Sequence, residues 1–310
     1  MLSIRRRPRL SVIVVAYRMP AQLENTVRSL SPEQQRGADG DDYEIVVVEN
    51  RSDATASPQR LWSWAPNVRY VLREESGSSP AAAVNAGARL ARGRYLAIMV
   101  DGARMVTPGV ISATLDALGT ARRPVVSVPG YHLGDRLHPE AALLGYSTEQ
   151  EQQMLAEMAW WEDGYRLFDR AVLSASCRDG FLRPIAESNC IALTRRHFRR
   201  LGGFDERFTK TGGGFVNLDF YRRCVDSRGV QLLVLPGEGT FHQFHSGATT
   251  GAPGVDRDAL LDEMRAEYEQ LRGRIHAPPS RTPVLFGEVG THARPFFEHS
   301  RTMAQAGADR

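Results

Sequence analysis

Residues 94–103, RYLAIMVDGA, decide the reading of this chain: a short apolar run ends in a lone acid, Asp101, followed by Gly102 and Ala103. A run this short and this apolar reads as a strand buried on both faces, not as one that alternates between core and solvent. An acid at the carboxyl end of such a strand seldom serves packing. In open α/β sheets ligands sit in the crevice outside those strand ends, so Asp101 is placed to meet a ribose, a phosphate-bound metal, or both.

Outward from this strand the pattern repeats. LSVIVVAY (10–17), YEIVVVEN (43–50), VRYVL (68–72) and PVVSVP (124–129) are further strand runs. Helical patterns lie between them at 22–30, 57–64 and 80–91, and another helix is entered at Thr107–Pro108. This alternation predicts an α/β protein: a doubly wound, mainly parallel sheet with helices on both faces. The first strand-to-helix turn, AYRMPAQLENT, has no glycine, which argues against a dinucleotide-binding hydride-transfer enzyme.

From about residue 146 the chain turns helical. Ser147 and Gln150 have the spacing of a capping box, and Trp160 and Trp161 suit either packing or stacking on a sugar. Strand signals return in ESNCIALT (187–194), QLLVLP (231–236) and GTFHQFH (239–245). In the last helical pattern Leu260, Leu261, Met264, Tyr268 and Leu271 share a face, fitting either the protein body or a second copy in a homodimer. The tail after His276 has no clear period and reads as extended or partly disordered.

With 310 residues and 42% hydrophobic composition, the chain can bury one principal domain plus a C-terminal helical extension. The net charge of +3 is small, and Arg5, Arg6, Arg7 and Arg9 precede the first strand, so residues 1–9 read as a basic, solvated tail and nothing points to nucleic acid. No apolar stretch approaches the roughly 20 residues that span a bilayer. Cys177, Cys190 and Cys224 lack metal-type spacing and are odd in number, which predicts buried thiols and a cytoplasmic location.

Four segments, taken in order, resemble the successive motifs of inverting family 2 glycosyltransferases with the GT-A fold: SVIVVAYRMPAQLENTVRSL, YEIVVVENRSDAT, SSPAAAVNAGARLARGRYLAIMVDGA and LTRRHFRRLGGFDERF. The resemblance implies a GT-A domain at 10–250, with a nucleotide-binding half (10–130) and an acceptor half (131–250), followed by a C-terminal helix and irregular tail (251–310). It further implies transfer of a sugar from a nucleotide-diphosphate sugar to a hydroxyl or amine of a glycan or small-molecule acceptor, with manganese or magnesium as the divalent metal. Ala16 and Tyr17 would meet the nucleobase, Glu49, Asn50 and Ser52 the base or ribose, and Asn85 the base or the Asp101 strand. Asp101, with Gly102 beside it, would lie at the ribose and diphosphate.

Two positions depart from the family pattern. Ala103 stands where the last acid of Asp-x-Asp would ligate the metal, so Asp101 needs another protein ligand. His245 is the expected one and His242 the second. Their spacing of three puts them on opposite faces of an extended strand, so the two are not expected to share an ion unless the backbone bends after Phe244. In FVNLDFYRR, Val216 and Asn217 replace the family's Glu-Asp pair, and an amide cannot take a proton from an acceptor hydroxyl. Glu187 is therefore expected as the replacement base, with Asp219 and Asp205 next. Loss of both acids also fits a second reading, a catalytically impaired protein that binds a nucleotide or a partner.

Overall fold

The computed structural model describes residues 7–75, 77–245 and 257–306. Most of the basic tail, including Arg5 and Arg6, and the 246–256 stretch fall outside them. The chain runs β1 (Leu10–Ala16), α1 (Pro20–Ser29), β2 (Tyr43–Asn50), α2 (Pro58–Trp64), β3 (Val68–Arg73), α3 (Ala81–Leu90) and β4 (Tyr95–Val100). It continues through β5 (Arg104–Val106), α4 (Val110–Thr120), β6 (Pro124–Ser127), β7 (Gly130–Leu133), α5 (His138–Leu143), α6 (Thr148–Met158) and β8 (Ala171–Leu173). Then come β9 (Cys190–Thr194), α7 (Arg195–Arg200), α8 (Val216–Val225), β10 (Gln231–Val234), β11 (Thr240–His242), α9 (Arg257–Arg272), β12 (Val284–Leu285) and α10 (Arg294–Ala306).

Eight strands form the main sheet in the order β12-β10-β6-β9-β4-β1-β2-β3. All seven residues of β1 are buried because β2 and β4 flank it and helices cover both faces. Leu10, Val12 and Val14 join Leu23 and Val27 of α1 in one apolar cluster, and Ile13 and Val15 join Val84 of α3 in the other. This is the two-sided burial that the unbroken apolar runs predict.

One strand runs against the rest. β9 is antiparallel to both β4 and β6, with Cys190 opposite Met99. The residues that precede β9, including Glu187 and Asn189, therefore lie at the same sheet edge as Asp101, which follows β4. A second, four-stranded sheet, β5-β11-β7-β8, stands at that edge. Its register lines up Arg104, His242 and His132 in one row.

Several expectations are corrected. Thr107 does not cap α4; its hydroxyl bonds the Glu238 carboxylate instead, and the helix starts at Val110. The described tail after His276 contains two regular elements: β12 extends the main sheet beside β10, and α10 lays the buried Ser300 against Gly180. Of the apolar stripe of α9, Met264 and Tyr268 are buried in the protein body, while Leu260, Leu261 and Leu271 are half-buried. Trp160 is 3% exposed and packs in the core, Trp161 stays exposed, and Trp64, Trp160 and Trp161 surround the Arg28 guanidinium at 4.4, 5.2 and 5.4 Å. The Ser147–Gln150 capping box forms as expected, and the three cysteines are buried and unpaired. Among the described residues no helix is long and apolar enough to cross a membrane.

α3 sits close on the sheet because of Gly87. A Cβ there would come within 2.6 Å of Ile13 Cγ2 and 3.3 Å of Val48 Cγ2. Helix propensity favours alanine over glycine, yet the overpacking outweighs it. Gly87→Ala is expected to lower stability by about 1–3 kcal/mol in chemical denaturation; a variant as stable as wild type would show that α3 is not seated this tightly.

Candidate active site

The parallel strands β1, β2 and β4 end together, and their last residues, Ala16, Asn50 and Val100, mark one edge, with Glu49 paired to Ala16. Just beyond, Asp101 is 30% exposed, while the residues after it turn inward. Gly102 is buried: a Cβ there would meet Ala16 Cβ at 3.0 Å, and Thr26 Oγ1 donates to its carbonyl. That close packing, rather than ligand contact, is what glycine provides at 102. Ala103 is fully buried in the core below α1, and its N–H donates to Asp101 Oδ1 at 3.1 Å.

Across from Asp101 stands the end of β11. His242 Nε2 lies 3.3 Å from Asp101 Oδ2, and His245 Nε2 lies 3.2 Å from His242 Nε2 and 3.9 Å from Asp101 Oδ2. A bend of the backbone, the condition on which the two histidines could share an ion, is present. The strand stops at His242, and the chain folds over before His245, so a spacing of three no longer places the rings on opposite faces. Gln243 and Phe244 hold the turn. Gln243 is fully buried, donates from its backbone to Ala103 O and from its side chain to Gln22 O, and accepts from Asn25. Phe244 N–H donates to both oxygens of Glu151 at 2.8 and 2.9 Å.

Two further histidines back this pair. His138 Nδ1 lies 3.0 Å from His242 Nδ1, and His132 Nδ1 accepts from the His138 backbone at 3.0 Å. Four of the chain's eight histidines thus meet in one cluster. Two ligand-like groups result, Asp101–His242–His245 and His132–His138–His242, each with its donor atoms within 4.8 Å of one another. Burial lowers the affinity of all four imidazoles for protons; His138 falls to about 3 and His245, helped by its neighbour His242, to about 4. Burial opposes the charge on Asp101 as well, but His242, Arg104 and His245 around it outweigh that and keep its carboxyl well below the ordinary range.

The acceptor side is tied to this group. Glu187 Oε2 accepts from Asn217 Nδ2 at 2.9 Å, and the same amide lies 3.0 Å from the Asn189 side chain. Asn189 in turn, with its amide nitrogen toward Val100 O, accepts from Arg104, whose Nε is 3.8 Å from Asp101 Oδ1. Asn217, which has no basicity, thus sets the position of the glutamate expected to replace it.

Other expected site residues are elsewhere or already engaged. Asp219 receives Arg223 at 2.7 Å and Arg272 at 2.6 Å, and although burial works against its charge, the two guanidiniums hold its pKa low. Asp205, gripped by Arg207 and Arg272, is likewise lowered. Carboxylates saturated by arginine are poor bases, so neither serves as the general base. Asn85 brackets the Gly203–Glu206 segment, donating to Phe204 O and Glu206 and accepting from Phe204 N. Asn50 is engaged with Gly77 O and Arg73, and Ser52 closes a local turn with Ala54. Glu49 is fully buried, accepting from Ala56 N and Tyr70 Oη, with Oε1 unpartnered and its pKa raised by burial. Tyr17 stays at the mouth, with Arg18 over its ring at 5.6 Å.

Sequence reasoning missed His132, His138, Arg104, Asn189 and Glu151. The first two had a visible signal, a pair of histidines flanking the Gly134-Asp135 turn. The others became legible only once two sheets brought distant segments to one edge.

A profile of glycosyl transferase family 2 matches residues 11–170. Validoxylamine A glucosyltransferase of Streptomyces hygroscopicus subsp. limoneus is 29% identical over 219 residues, 69% of this chain and 47% of the relative. The chain spans about half the length of the curated relatives it matches. Among solved structures, S. aureus TarS superposes with a TM-score of 0.52 at 12% identity, over 84% of this chain and 40% of TarS. TarS 1–349 in complex with UDP-GlcNAc gives 0.52 at 13% identity, over 84% and 66% of the two chains. The architecture is therefore GT-A, as the sequence motifs imply.

Glu151 supplies a test of the turn that shapes the site. Burial raises its pKa from 4.5 to about 8. The folded protein keeps this proton across a range in which the unfolded chain has lost it, so wild-type stability falls as pH rises from 4.5 to about 8. Glu151→Gln has no such proton, so its melting temperature relative to wild type is expected to climb through that window. A constant difference between the two melting curves would mean that Glu151 is not held neutral.

Proposed function

The chain belongs to glycosyl transferase family 2, and on that premise we propose that it moves a sugar from a nucleotide-diphosphate sugar to a hydroxyl or amine of its acceptor by direct displacement, with inversion at the anomeric carbon. The observation that carries this reading is the meeting of Asp101, His242 and His245 at the sheet edge, with Glu187 held on the acceptor side by Asn217.

The residues present fit a divalent cation. An ionised carboxylate and two imidazoles kept neutral by burial offer donor atoms within 4.8 Å of one another, and the acid missing at Ala103 is made good by two histidines. Asp101, His242 and His245 would hold the ion. When bound, it supplies positive charge for the departing nucleoside diphosphate. Two nitrogen donors suit manganese better than magnesium, which prefers an all-oxygen shell.

Glu187 acts as the base in this scheme. One carboxylate oxygen is oriented by Asn217, and the other is left to accept the proton of the incoming hydroxyl or amine. An amide at the family's base position therefore serves to aim a carboxylate that comes from the segment before β9. The named glucosyltransferase activity of the relative makes a glucose-bearing nucleotide sugar the first donor to try.

A second reading, a binding protein that has lost catalysis, is favoured by Asn217 and by the burial of Ala103. Acceptor-dependent release of nucleoside diphosphate from one of a panel of nucleotide sugars would exclude it. In that assay Glu187→Gln is expected to lose about 10²- to 10⁴-fold in turnover and to bind nucleoside diphosphate as wild type does by calorimetry. Full turnover in this variant would remove Glu187 from the mechanism. After chelation, manganese is expected to restore activity at lower concentration than magnesium; equal titrations would argue against nitrogen ligation.

A further inference from the structure

We propose that the edge of the main sheet remote from Asp101 is a docking surface for an anionic lipid bilayer. Arginines just outside the sheet build this surface, and the inference does not rest on the transfer reaction proposed above.

Register puts these arginines on one side. Leu10 of β1 is level with Tyr95 of β4, Tyr95 with Thr194 of β9, Leu193 with Val125 of β6, and Pro124 with Gln231 of β10. β1, β4, β6 and β10 therefore begin, and the reversed β9 ends, along the same edge. Exposed arginines stand directly before the four starts: Arg7 before β1, Arg92 and Arg94 before β4, Arg122 and Arg123 before β6, and Arg228 before β10. α7 follows β9 without a break and adds Arg196, Arg199 and Arg200.

Hydrogen bonds join the segments. Arg7 Nε donates to Arg92 O at 2.8 Å, the Arg195 N–H to Arg94 O at 3.0 Å, and Arg123 Nη1 to Arg228 O at 2.6 Å. His197 lies among them: burial lowers its pKa, and the charges of Arg123 and Arg200 lower it further. Charges of one sign gathered like this repel, and acids usually offset them. Here, among the described residues, none of these exposed arginines forms an ion pair; the nearby acids Asp42 and Asp226 face Arg9 at 4.0 Å and Arg222 at 3.5 Å instead.

Guanidiniums left without carboxylates fit a polyanionic partner, and the shape of the surface selects among polyanions. Five adjacent strand ends at about 4.8 Å spacing make a front about 20 Å wide, too broad for a single phosphate group. The segments that carry the arginines hold no exposed aromatic ring on which nucleic-acid bases could stack. Their exposed apolar side chain is Leu90, 37% exposed at the end of α3 between Arg89 and Arg92. Arginines with an exposed leucine suit a lipid headgroup layer, where phosphates take the charge and the leucine reaches the acyl boundary.

Docked in this way, the strands stand on the bilayer. β4 is six residues long, which puts Asp101 about 20 Å from the lipid surface. The bilayer would locate the protein while the Asp101 edge stays open to the aqueous side.

The test is co-sedimentation of the full chain with vesicles of phosphatidylcholine, alone or mixed with phosphatidylglycerol. Binding is expected only to the mixed vesicles, and is expected to disappear in about 1 M salt, where charges act over about 3 Å. Wild-type protein that ignores the mixed vesicles, or that binds both kinds equally, overturns the proposal, and neither comparison needs a variant to fold. Combining Arg122→Glu, Arg196→Glu and Arg200→Glu is expected to weaken binding about 100-fold or more, while lysine at the same three positions preserves it. Combining Arg170→Glu, Arg178→Glu and Arg294→Glu, exposed positions beside the second sheet, changes net charge equally and is expected to leave binding near wild type. Equal losses in the two glutamate variants would mean that net charge, and not this edge, does the binding. Tighter binding to duplex DNA than to mixed vesicles, at equal phosphate and salt, would overturn the lipid assignment in favour of nucleic acid.

Discussion

The site depends on a backbone turn two residues long. Between His242 and His245 the chain leaves β11 and folds over, and only this brings both imidazoles onto the side of Asp101. Such a turn exposes polar backbone groups to an apolar interior, where leaving them unpaired is costly. Each is satisfied. Gln243 N–H goes to Ala103 O, Gln22 donates to Phe244 O, and Phe244 N–H goes to the buried Glu151. The partners come from α1, from the segment after β4 and from α6, so three distant parts of the sequence hold one turn.

The same turn explains how the fold tolerates the loss of an acid at 103. Ala103 packs into the core below α1, where a carboxylate would be buried without a partner. The second sheet puts His242 and His132 in the row that begins with Arg104, and the turn adds His245. Ligand-type atoms at this edge thus come from β11 and its end as well as from Asp101. On the acceptor side Asn217, at the position the resemblance gives to the base, donates a hydrogen bond to the Glu187 carboxylate. Glu187, Asn217, Asn189, Arg104 and Asp101 follow one another in side-chain contact between the two sides.

What the sequence by itself determined is the sheet and the place of Asp101. Unbroken apolar runs such as IVVV and LAIM have one stable environment, a strand covered on both faces, and an acid after such a run has nowhere to go but the sheet edge. The motifs in order extended this to the family. Local chemistry was also legible: the capping box at Ser147 and Gln150, and the buried thiols.

The tertiary structure alone decided which polar groups meet. The extended-strand rule, read locally, separated His242 from His245, because the bonds that bend the chain come from residues such as Gln22 and Glu151 that lie far away in sequence. Asp205 and Asp219 looked like spare acids until Arg272, more than fifty residues on, closed over both. Asn85 looked like a ligand contact until the Gly203–Glu206 segment took up its amide. Periodicity encodes burial, which is a property of a residue and its near neighbours. Hydrogen-bond partnership is a property of pairs, and in a doubly wound sheet with one reversed strand the pairs are set by where the crossovers land.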